Sequence, residues 1–243
     1  MSTRRVALVT GGGSGIGRAA ALGLIEQGIR VAVADVSEEG MELTRQKAGA
    51  SDQSIVCIQT DVRNHASVKK LVQTVMHEFG RIDILVNCAG IFPVSRVAEM
   101  DEDEWDRVIE TNLKGAFLCS QAVLEPMRAQ GAGRIVSIGS GRGTDGYSGG
   151  AHYAASKGGL IGFTKSLALE MINDVVTVNI IAPGITDTPM MRGVLTSEQV
   201  ERFLQQSPGS RLGKPEDIVA LLLYLVSEQA AHVTGQVFTL KFP

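Results

Sequence analysis

Short runs of β-branched and apolar residues alternate along the chain with longer stretches in which apolar positions recur at helical spacing. The short runs contain few polar positions, which is typical of parallel strands covered on both faces. Seven such runs occur, at residues 5–10, 30–35, 55–59, 82–87, 134–138, 176–182 and 236–240. Strands that alternate with helices in this way predict an α/β fold with a doubly wound, seven-stranded, mostly parallel sheet and helices on both faces.

Several segments between these runs carry residues that begin and end helices. Ser37 is followed by two glutamates, and both features favour a helix start. Gly80 follows a helical stretch as a C-terminal stop, and Pro215 suits the first turn of the next apolar stretch. No Pro/Ser-rich linker or change in composition divides the chain. We therefore expect residues 1–243 to form one domain.

The first strand runs directly into a glycine-rich turn, residues 10–17, after which a helical pattern begins. Such a turn brings backbone N–H groups and a helix N-terminus against a pyrophosphate. Asp35 ends the second strand 18 positions after Gly17, close to the spacing of about 20 expected for an acid that binds the adenosine ribose. These features predict a Rossmann-type domain that binds a dinucleotide. An ordinary turn with a solvated aspartate and the glycine loop of a methyltransferase are the alternatives at this point.

Two polar side chains share one face of the helical stretch that starts near residue 153. Tyr153 and Lys157 are four positions apart, and a nearby ammonium lowers the pKa of a phenol, which is about 10 in isolation. That would let Tyr153 act as an acid or base near neutral pH. Ser140 follows the fifth strand, and Asn112 lies inside a helical stretch, 103–130, where asparagine is a mediocre helix former. A half-exposed helix face and a turn serine are the non-catalytic interpretations.

Composition and charge argue against several classes of partner. The chain has 23 Lys and Arg against 26 Asp and Glu, so it offers nucleic acid or an anionic membrane no electrostatic attraction. The longest apolar stretch, residues 218–226, is far shorter than a membrane span of about 20 residues. Only residues 6–9 are apolar between Arg5 and the glycines, so we expect no secretory segment. We expect a cytoplasmic protein without nucleic-acid or membrane partners.

The cysteines and histidines show neither a disulfide framework nor metal-ligand spacing. They are Cys57, Cys88, Cys119, His65, His77, His152 and His232. We therefore predict no metal site and expect the cysteines to be buried in the core. Glycine is unusually frequent, 28 of 243 residues, against a usual share of roughly 7%. This excess indicates places where the backbone must approach another group closely.

Together these motifs resemble the short-chain dehydrogenase/reductase family over essentially the whole chain. Residues 10–17 match the family's TGxxxGxG pattern, and residues 87–90 match its NNAG pattern. The family's catalytic tetrad is matched in order and spacing by Asn112, Ser140, Tyr153 and Lys157. Pro183 and Gly184, with Thr188 beyond them, match the segment that holds the nicotinamide. The methyltransferase alternative has no use for the serine, tyrosine and lysine.

The resemblance implies a role for each member of the tetrad. Tyr153 would exchange a proton with the substrate oxygen while a hydride moves to or from the nicotinamide, and Ser140 would hydrogen-bond that oxygen. Lys157 would bind the nicotinamide ribose and lower the pKa of Tyr153. Asn112 would hold a water that relays protons to Lys157. The implied dinucleotide-binding residues are Gly11, Ser14, Gly15, Ile16, Gly17, Asp35, Asp61, Val62, Asn87, Ala89, Gly90, Tyr153, Lys157, Pro183, Gly184, Ile185 and Thr188.

Asp35 predicts that the cofactor is NAD. A carboxylate at the end of the second strand accepts hydrogen bonds from both adenosine ribose hydroxyls and repels the 2′-phosphate of NADP. The family's NADP users commonly carry Arg or Lys at positions that hold Ser14, Val36 and Ser37 here. Arg18 is the nearest basic residue, and we expect the helix to turn it away.

We therefore predict an NAD-dependent oxidoreductase that interconverts a small secondary alcohol and its ketone, with Tyr153 as general acid/base. One alternative is an NADPH-dependent 3-oxoacyl-thioester reductase of the same family. A second is a non-catalytic dinucleotide-sensing module, a kind of protein that typically lacks the tyrosine or lysine. The family also implies a homo-oligomer, a tetramer or dimer, and small residues at Gly158, Gly159 and Gly162 would allow close helix contact between subunits or within one chain.

The expected substrate pocket is mainly apolar, and a lid is predicted to close over it. Its wall would include Phe92, Met190, Met191, Val194 and Leu195, with Arg142, Asp145 and His152 as candidate polar contacts. Residues 188–210 are predicted to form the mobile lid. Two departures from the family pattern stand out. Cys88 replaces the second asparagine of NNAG, and residues 238–243 replace the usual Asp-Gly-Gly, which puts the family's C-terminal subunit packing in doubt.

Overall fold

The computed structural model of the chain describes residues 4–49, 54–206 and 211–241. Its strands are β1 (Val6–Thr10), β2 (Arg30–Asp35), β3 (Ile55–Gln59), β4 (Ile84–Asn87), β5 (Gly133–Ile138), β6 (Val176–Pro183) and β7 (Val237–Leu240). They form one sheet in the order β3-β2-β1-β4-β5-β6-β7. Every pairing of these strands is parallel, which confirms the predicted fold class.

The helices flank the sheet and follow its strands along the chain. They are α1 (Gly15–Glu26), α2 (Glu38–Ala48), α3 (His65–Phe79), α4 (Glu102–Ile109), α5 (Gly115–Gln130), α6 (Arg142–Asp145), α7 (Ala151–Glu170), α8 (Pro189–Val194), α9 (Ser197–Gln206) and α10 (Pro215–Leu225). A π-helical segment (Glu110–Lys114) and a short 3₁₀ helix (Glu228–Ala230) complete them. No helix in the described ranges combines the length and hydropathy needed to cross a bilayer.

Each face of the sheet supports its own hydrophobic core, because successive side chains of a buried strand point to opposite faces. Val6 and Leu8 of β1 pack in the core that contains α3, α5 and α7, whereas Ala7 and Val9 pack in the core that contains α1 and α10. All four of these strand residues are fully buried. This explains why the strand patterns in the sequence are continuously apolar.

The sequence predicts one helix over residues 103–130, and the structure divides it. The π-helical segment separates α4 from α5 and contains the buried Asn112. Such segments insert an extra residue into a helix and often occur at functional sites. The division gives Asn112 a position at which its side chain leaves the helix and bonds to a neighbouring segment.

The carboxyl ends of the strands meet at one edge of the sheet. Strand order reverses at β1, whose neighbours β2 and β4 lead to opposite sides. Open α/β sheets bind ligands in the crevice outside the carboxyl ends of the strands at such a reversal point. Thr10, Asp35, Asn87 and Ile138 are the last residues of β1, β2, β4 and β5, so the topology alone gathers several predicted site residues at this edge.

Candidate active site

A cavity of about 730 Å³ opens at the carboxyl edge of the sheet. It extends past the ends of β1, β2, β4, β5 and β6, and the predicted substrate-wall residues also border it. Of the predicted catalytic and dinucleotide-binding residues, all but Asn87 and Asn112 line this cavity. The structure thus brings together residues that are as far apart in sequence as Gly11 and Thr188.

The glycine-rich turn is built for close backbone contact. Gly11 has φ +66°, and a Cβ there would lie 2.8 Å from the backbone of Ala89. The Thr10 hydroxyl fixes the facing turn by accepting the backbone N–H groups of Cys88 (3.1 Å) and Ala89 (3.2 Å). Helix α1 begins directly after this turn, so its first-turn N–H groups, which have no partner within the helix, face the cavity.

Asp35 forms the far end of the cavity. Its carboxylate accepts the backbone N–H of Gly13 (2.8 Å) on one oxygen and that of Ser37 (3.0 Å) on the other. Each oxygen keeps a further lone pair for a ligand hydroxyl. The neighbouring Val36 is exposed and apolar. This arrangement fits a ribose with two free hydroxyls.

The expectation that helix α1 turns Arg18 away from this end is wrong. The Arg18 guanidinium reaches back over the glycine turn, bonds to the carbonyl of Gly13, and donates to the Gly40 carbonyl (3.3 Å) and the Thr44 hydroxyl (3.0 Å). It borders a small hollow that Asp35 also lines. Arg18 therefore joins α1 to α2 beside Asp35 through hydrogen bonds from Nε and Nη2 of its guanidinium.

Asp61 lines the same cavity, and its carboxylate is less free than that of Asp35. The Arg63 guanidinium donates to both of its carboxylate oxygens, at 2.7 to 3.1 Å. This pairing holds the pKa of Asp61 below its usual value. Val62 packs against Gly115, where a Cβ would clash with it. Any dinucleotide contact at Asp61 would thus be made by a carboxylate already oriented by Arg63.

Tyr153 and Ser140 meet at the opposite end of the cavity. Tyr153 is only 8% exposed, and its ring stacks on Phe92 with centroids 4.0 Å apart. Burial raises the pKa of Tyr153, and a hydrogen bond from Ser140 and the charge of Arg142 lower it by less. The Tyr153 hydroxyl therefore carries its proton at neutral pH.

The prediction that Lys157 lowers this pKa is wrong for the structure. The Lys157 ammonium lies 5.7 Å from the centroid of the Tyr153 ring and donates to the carbonyl of Ile138 (2.8 Å). Lys157 is not among the groups that shift the pKa of Tyr153. Its own pKa falls from its usual value to about 8, because burial disfavours the charged form. Lys157 lines the cavity and can offer its remaining donors to a ligand.

Titration of Lys157 is expected to make kcat/KM for the dinucleotide depend on pH. Lys157 is charged below a pKa of about 8 and loses its proton above it, so a ribose-binding ammonium is present on the acidic side only. The kcat/KM for the dinucleotide, which reports groups of the free enzyme, should therefore fall as pH rises through about 8. Initial rates at low dinucleotide concentration from pH 6 to pH 10 measure this. A profile that stays flat across that range would contradict the assignment.

Asn112 does not line the cavity; its side chain joins two neighbouring segments by hydrogen bonds. Its amide oxygen accepts the Ile91 N–H (2.8 Å), and its amide nitrogen donates to the Ile91 carbonyl (2.9 Å) and the Ser156 hydroxyl (3.1 Å). The Ser156 hydroxyl in turn donates to the Tyr153 carbonyl (2.7 Å). The oxygen and the nitrogen of the side-chain amide are thus both hydrogen-bonded within the protein. The water that the resemblance implies would therefore have to bind the main chain of Asn112.

Asn87 also lies behind the cavity. Its amide nitrogen donates to the Ser120 hydroxyl (3.0 Å) and lies 3.5 Å from the Ser137 hydroxyl. The residue ends β4 and is buried between β1, β5 and α5. It therefore orients the strand end from which Ala89 and Gly90 enter the cavity.

His152 supports Tyr153 from outside the cavity. The ring is fully buried; its Nδ1 accepts the Tyr153 backbone N–H (2.8 Å), and its Nε2 lies 3.2 Å from a carboxylate oxygen of Glu104. With Nδ1 as acceptor, Nε2 carries the proton and donates to Glu104. His152 thus joins the start of α7 to α4 and does not reach the substrate.

Three residues that shape the site are missing from the sequence prediction. Gly143 lets the turn after Ser140 lie on α7, since a Cβ there would sit 2.8 Å from the carbonyl carbon of Lys157. The other two are Ser156, described above, and Tyr147, whose ring meets Phe92 edge-on with centroids 5.4 Å apart. Tyr147 could have been found from the sequence, because a tyrosine inside a glycine-rich loop is conspicuous. The contact of Gly143 with α7 depends on the fold and has no local signal.

Two of the glycines considered for subunit contact are used inside the chain. Gly158 faces the carbonyl of Gly143, and a Cβ at Gly159 would lie 2.8 Å from Leu113. Only at Gly162, of the three, would a Cβ meet open space. The intrachain interpretation therefore holds for two of the three positions, and a homo-oligomer stays a prediction.

The predicted lid region contains α8 and α9. The Thr188 hydroxyl caps α8 by accepting the Met191 N–H (3.2 Å), and Met190, Met191, Val194 and Leu195 all border the cavity. The last residues of the predicted lid, 207–210, lie outside the described residues, as do residues 242 and 243 of the atypical C-terminus. Lid movement stays a prediction.

The profile of the family described as short chain dehydrogenase matches residues 5–199. The chain belongs to the short-chain dehydrogenase family. The predicted family resemblance is thereby confirmed, and with it an oxidoreductase that works with a nicotinamide dinucleotide.

This short-chain dehydrogenase is similar to several proteins that are named as reductases. It is 41% identical over 232 residues, 96% of its length and 93% of the relative's, to the 3-oxoacyl-[acyl-carrier-protein] reductase FabG of Salmonella typhimurium. It is 38% identical over 243 residues, 99% and 98% of the two lengths, to an acetoacetyl-CoA reductase of an Acinetobacter species. A solved variant of actinorhodin polyketide ketoreductase with NADPH superimposes with a TM-score of 0.92 at 36% identity, covering 98% of this chain and 96% of that one.

Proposed function

We propose that this short-chain dehydrogenase reduces the ketone of 3-oxoacyl thioesters to a hydroxyl, with NADH as the hydride donor. The observation that carries the proposal is the buried, protonated Tyr153 hydroxyl, hydrogen-bonded with Ser140 at the end of a cavity that reaches Asp35. The substrate class is inferred from the two curated relatives, whose names specify 3-oxoacyl and acetoacetyl thioesters.

These relatives support the alternative hypothesis, a 3-oxoacyl-thioester reductase, better than the main prediction of a general NAD-dependent alcohol dehydrogenase. The raised pKa of Tyr153 argues in the same direction, because a phenol that keeps its proton at neutral pH is suited to donate it to a carbonyl oxygen. The non-catalytic alternative is weaker, since Tyr153, Ser140 and Lys157 all line the cavity.

The residues of the cavity fit a dinucleotide along its whole length. The Gly11 turn leaves room for backbone to approach a pyrophosphate, and the first turn of α1 supplies N–H donors. Asp35 would accept hydrogen bonds from the adenosine ribose, and Lys157 would donate to the nicotinamide ribose. Pro183 and Gly184, at the end of β6, would hold the nicotinamide. When bound, the nicotinamide supplies the hydride for the reduction.

The chain's own residues then have separate tasks. Ser140 and Tyr153 would both hydrogen-bond the substrate carbonyl oxygen and so stabilise the negative charge that develops on it. Tyr153 would give its proton to that oxygen as general acid. The tyrosinate that is left would be stabilised by the hydrogen bond from Ser140 and the charge of Arg142, the two groups that lower the pKa of Tyr153. Phe92 and the methionines of α8 would exclude water from the reaction.

The cofactor assignment rests on this chain's residues rather than on its relatives. The solved ketoreductase is described with NADPH, which agrees with the cofactor of the alternative hypothesis. Here, however, both oxygens of Asp35 face the ribose end with lone pairs to spare, and the adjacent Val36 offers no cation. We therefore propose NADH.

The test is a rate comparison with the purified protein. Acetoacetyl-CoA and a simple ketone such as cyclohexanone are each supplied with NADH or NADPH, and the loss of reduced cofactor is followed by absorbance. We expect kcat/KM with NADH to be at least about tenfold higher for the thioester than for the simple ketone, a modest difference in transition-state binding. Equal values for the two ketones would contradict the substrate class, and a preference for NADPH would contradict the cofactor.

A further inference from the structure

Arg142 is a cation inside the substrate end of the cavity. It lies two residues after Ser140, and its backbone N–H donates to the Ser140 hydroxyl (3.2 Å). The residue is half-buried and lines the same cavity as Tyr153. Its charge is close enough to the reacting centre to lower the pKa of Tyr153. Arg142 is therefore near the position of the substrate carbonyl.

An aromatic stack holds the Arg142 guanidinium in place. The guanidinium carbon lies 4.7 Å from the centroid of the Tyr147 ring, a cation–π contact. Tyr147 meets Phe92 edge-on, and Phe92 stacks on Tyr153. A cation–π contact does not use the guanidinium N–H groups as hydrogen-bond donors to oxygen, so they are left for another group.

Within the described ranges, no ion pair joins Arg142 to an acidic side chain. Two other arginines that line the cavity do form such pairs. Arg63 pairs with Asp61, and Arg211 pairs with Asp217. The nearby Asp145 carboxylate accepts from the Thr144 hydroxyl (2.9 Å). A half-buried guanidinium with in-plane donors and no carboxylate partner is suited to bind one from a ligand.

The position of Arg142 restricts which anion it would meet. A phosphate of CoA or of an acyl-carrier protein lies at the far end of the pantetheine arm, many bonds from the reacting ketone. Arg142 is adjacent to Ser140, which would contact that ketone. An anion attached within a few bonds of the reacting carbon fits this position better, and a carboxylate of the substrate is such an anion.

We propose that Arg142 is a specificity-determining residue that binds a carboxylate close to the reacting carbonyl of the substrate. This deepens the proposed function and rests on its ketone reduction at Tyr153 and Ser140. The carboxylate has two sources: it is either the acid group of a free 3-oxo acid or a second acid group on the acyl chain of a 3-oxoacyl thioester.

Two matched substrate pairs test the proposal and separate the sources. Acetoacetate is compared with methyl acetoacetate, and the monothioester of a 3-oxo dicarboxylic acid with acetoacetyl-CoA. Within each pair the ratio of kcat/KM values reports recognition of the carboxylate, while general effects on Tyr153 cancel. Wild-type protein should favour the charged member of at least one pair, and Arg142→Met should lower that ratio by about tenfold or more, as expected for a charge-assisted hydrogen bond.

Two further variants serve as controls. Arg142→Lys keeps the charge without the planar donors, so it should recover only part of the ratio. Arg107→Met removes an exposed arginine that also lines the cavity, and it should leave the ratio unchanged. A wild-type ratio near unity in both pairs, or the same ratio in wild type and Arg142→Met, would overturn the proposal.

The proposal and the proposed function can fail separately. Turnover of acetoacetate without turnover of either thioester would contradict the thioester class, and Arg142 would still be supported if Arg142→Met lowered the ratio of acetoacetate to methyl acetoacetate. If none of the ketones is reduced, calorimetric binding of 3-hydroxybutyrate to the NAD-loaded protein still decides: weaker binding by Arg142→Met supports the carboxylate site, and equal binding overturns it.

Discussion

Tyr153→Phe is expected to lower kcat for ketone reduction by at least about 10²-fold, the usual loss when a proton-transfer group is removed. The phenylalanine ring keeps the stacking on Phe92, at 4.0 Å between centroids in the wild type. Burial of the helix face is also unchanged, so the fold and the dinucleotide site should remain. Steady-state rates at saturating cofactor and substrate measure the loss.

The same variant should bind the dinucleotide with nearly unchanged affinity, which fluorescence titration of the reduced cofactor would show. Tyr224→Phe is the matched control, because it removes the hydroxyl of an exposed tyrosine on α10, away from the cavity. It should keep wild-type kcat. If Tyr153→Phe retained most of its activity, another group would have to donate the proton, and the assignment of Tyr153 would be wrong.

Much of the fold follows from local patterns in the sequence. Each predicted strand differs from the observed one by no more than two residues at either end, because continuous apolar runs bounded by turn residues leave little freedom in where a buried strand lies. The helix starts at Ser37 and Pro215 are confirmed, the first by a hydroxyl that accepts the Gly40 N–H (3.0 Å). These features depend on neighbours in the chain, so a sequence contains them directly.

The features that sequence reasoning missed depend on contacts between distant segments. The π-helical segment exists where Asn112 bonds to Ile91 and Ser156, and local propensity carries no signal for those partners. The position of Arg18 is a similar case, because it is set by carbonyls on the glycine turn and on α2. The predicted pKa of Tyr153 is wrong because burial is the largest influence on it, and Lys157, 5.7 Å from the ring centroid, is not among the groups that shift it.

Replacing Asp35 is expected to weaken the preference of the enzyme for NADH over NADPH. Wild-type protein should prefer NADH over NADPH by roughly 10²-fold or more in kcat/KM, since a poorly solvated pair of like charges costs several kcal/mol and each 1.4 kcal/mol is tenfold. Asp35→Ser removes the carboxylate but keeps a hydroxyl for hydrogen bonding. It should erode the preference, and Asp35→Ser combined with Val36→Arg should remove or reverse it.

A matched control separates this local effect from a change in overall charge. Asp145→Ser removes the same charge from the substrate end of the same cavity, so it should leave the ratio for the two cofactors unchanged. The measurement is kcat/KM for NADH and NADPH with one ketone at a fixed concentration. A wild-type enzyme that uses both cofactors equally would refute the role given to Asp35.

The position of Arg18 adds an expectation about which residue would bind NADPH once Asp35 is replaced. In the wild type its guanidinium, a positive charge, borders the hollow that the Asp35 carboxylate also lines. Once Asp35 is replaced, that charge becomes available to a 2′-phosphate next to the Gly13 turn. Any NADPH activity gained by Asp35→Ser should therefore fall again in Asp35→Ser/Arg18→Met, while NADH activity changes less. If the gain survives removal of Arg18, the loss of repulsion alone explains it, and the guanidinium takes no part in cofactor choice.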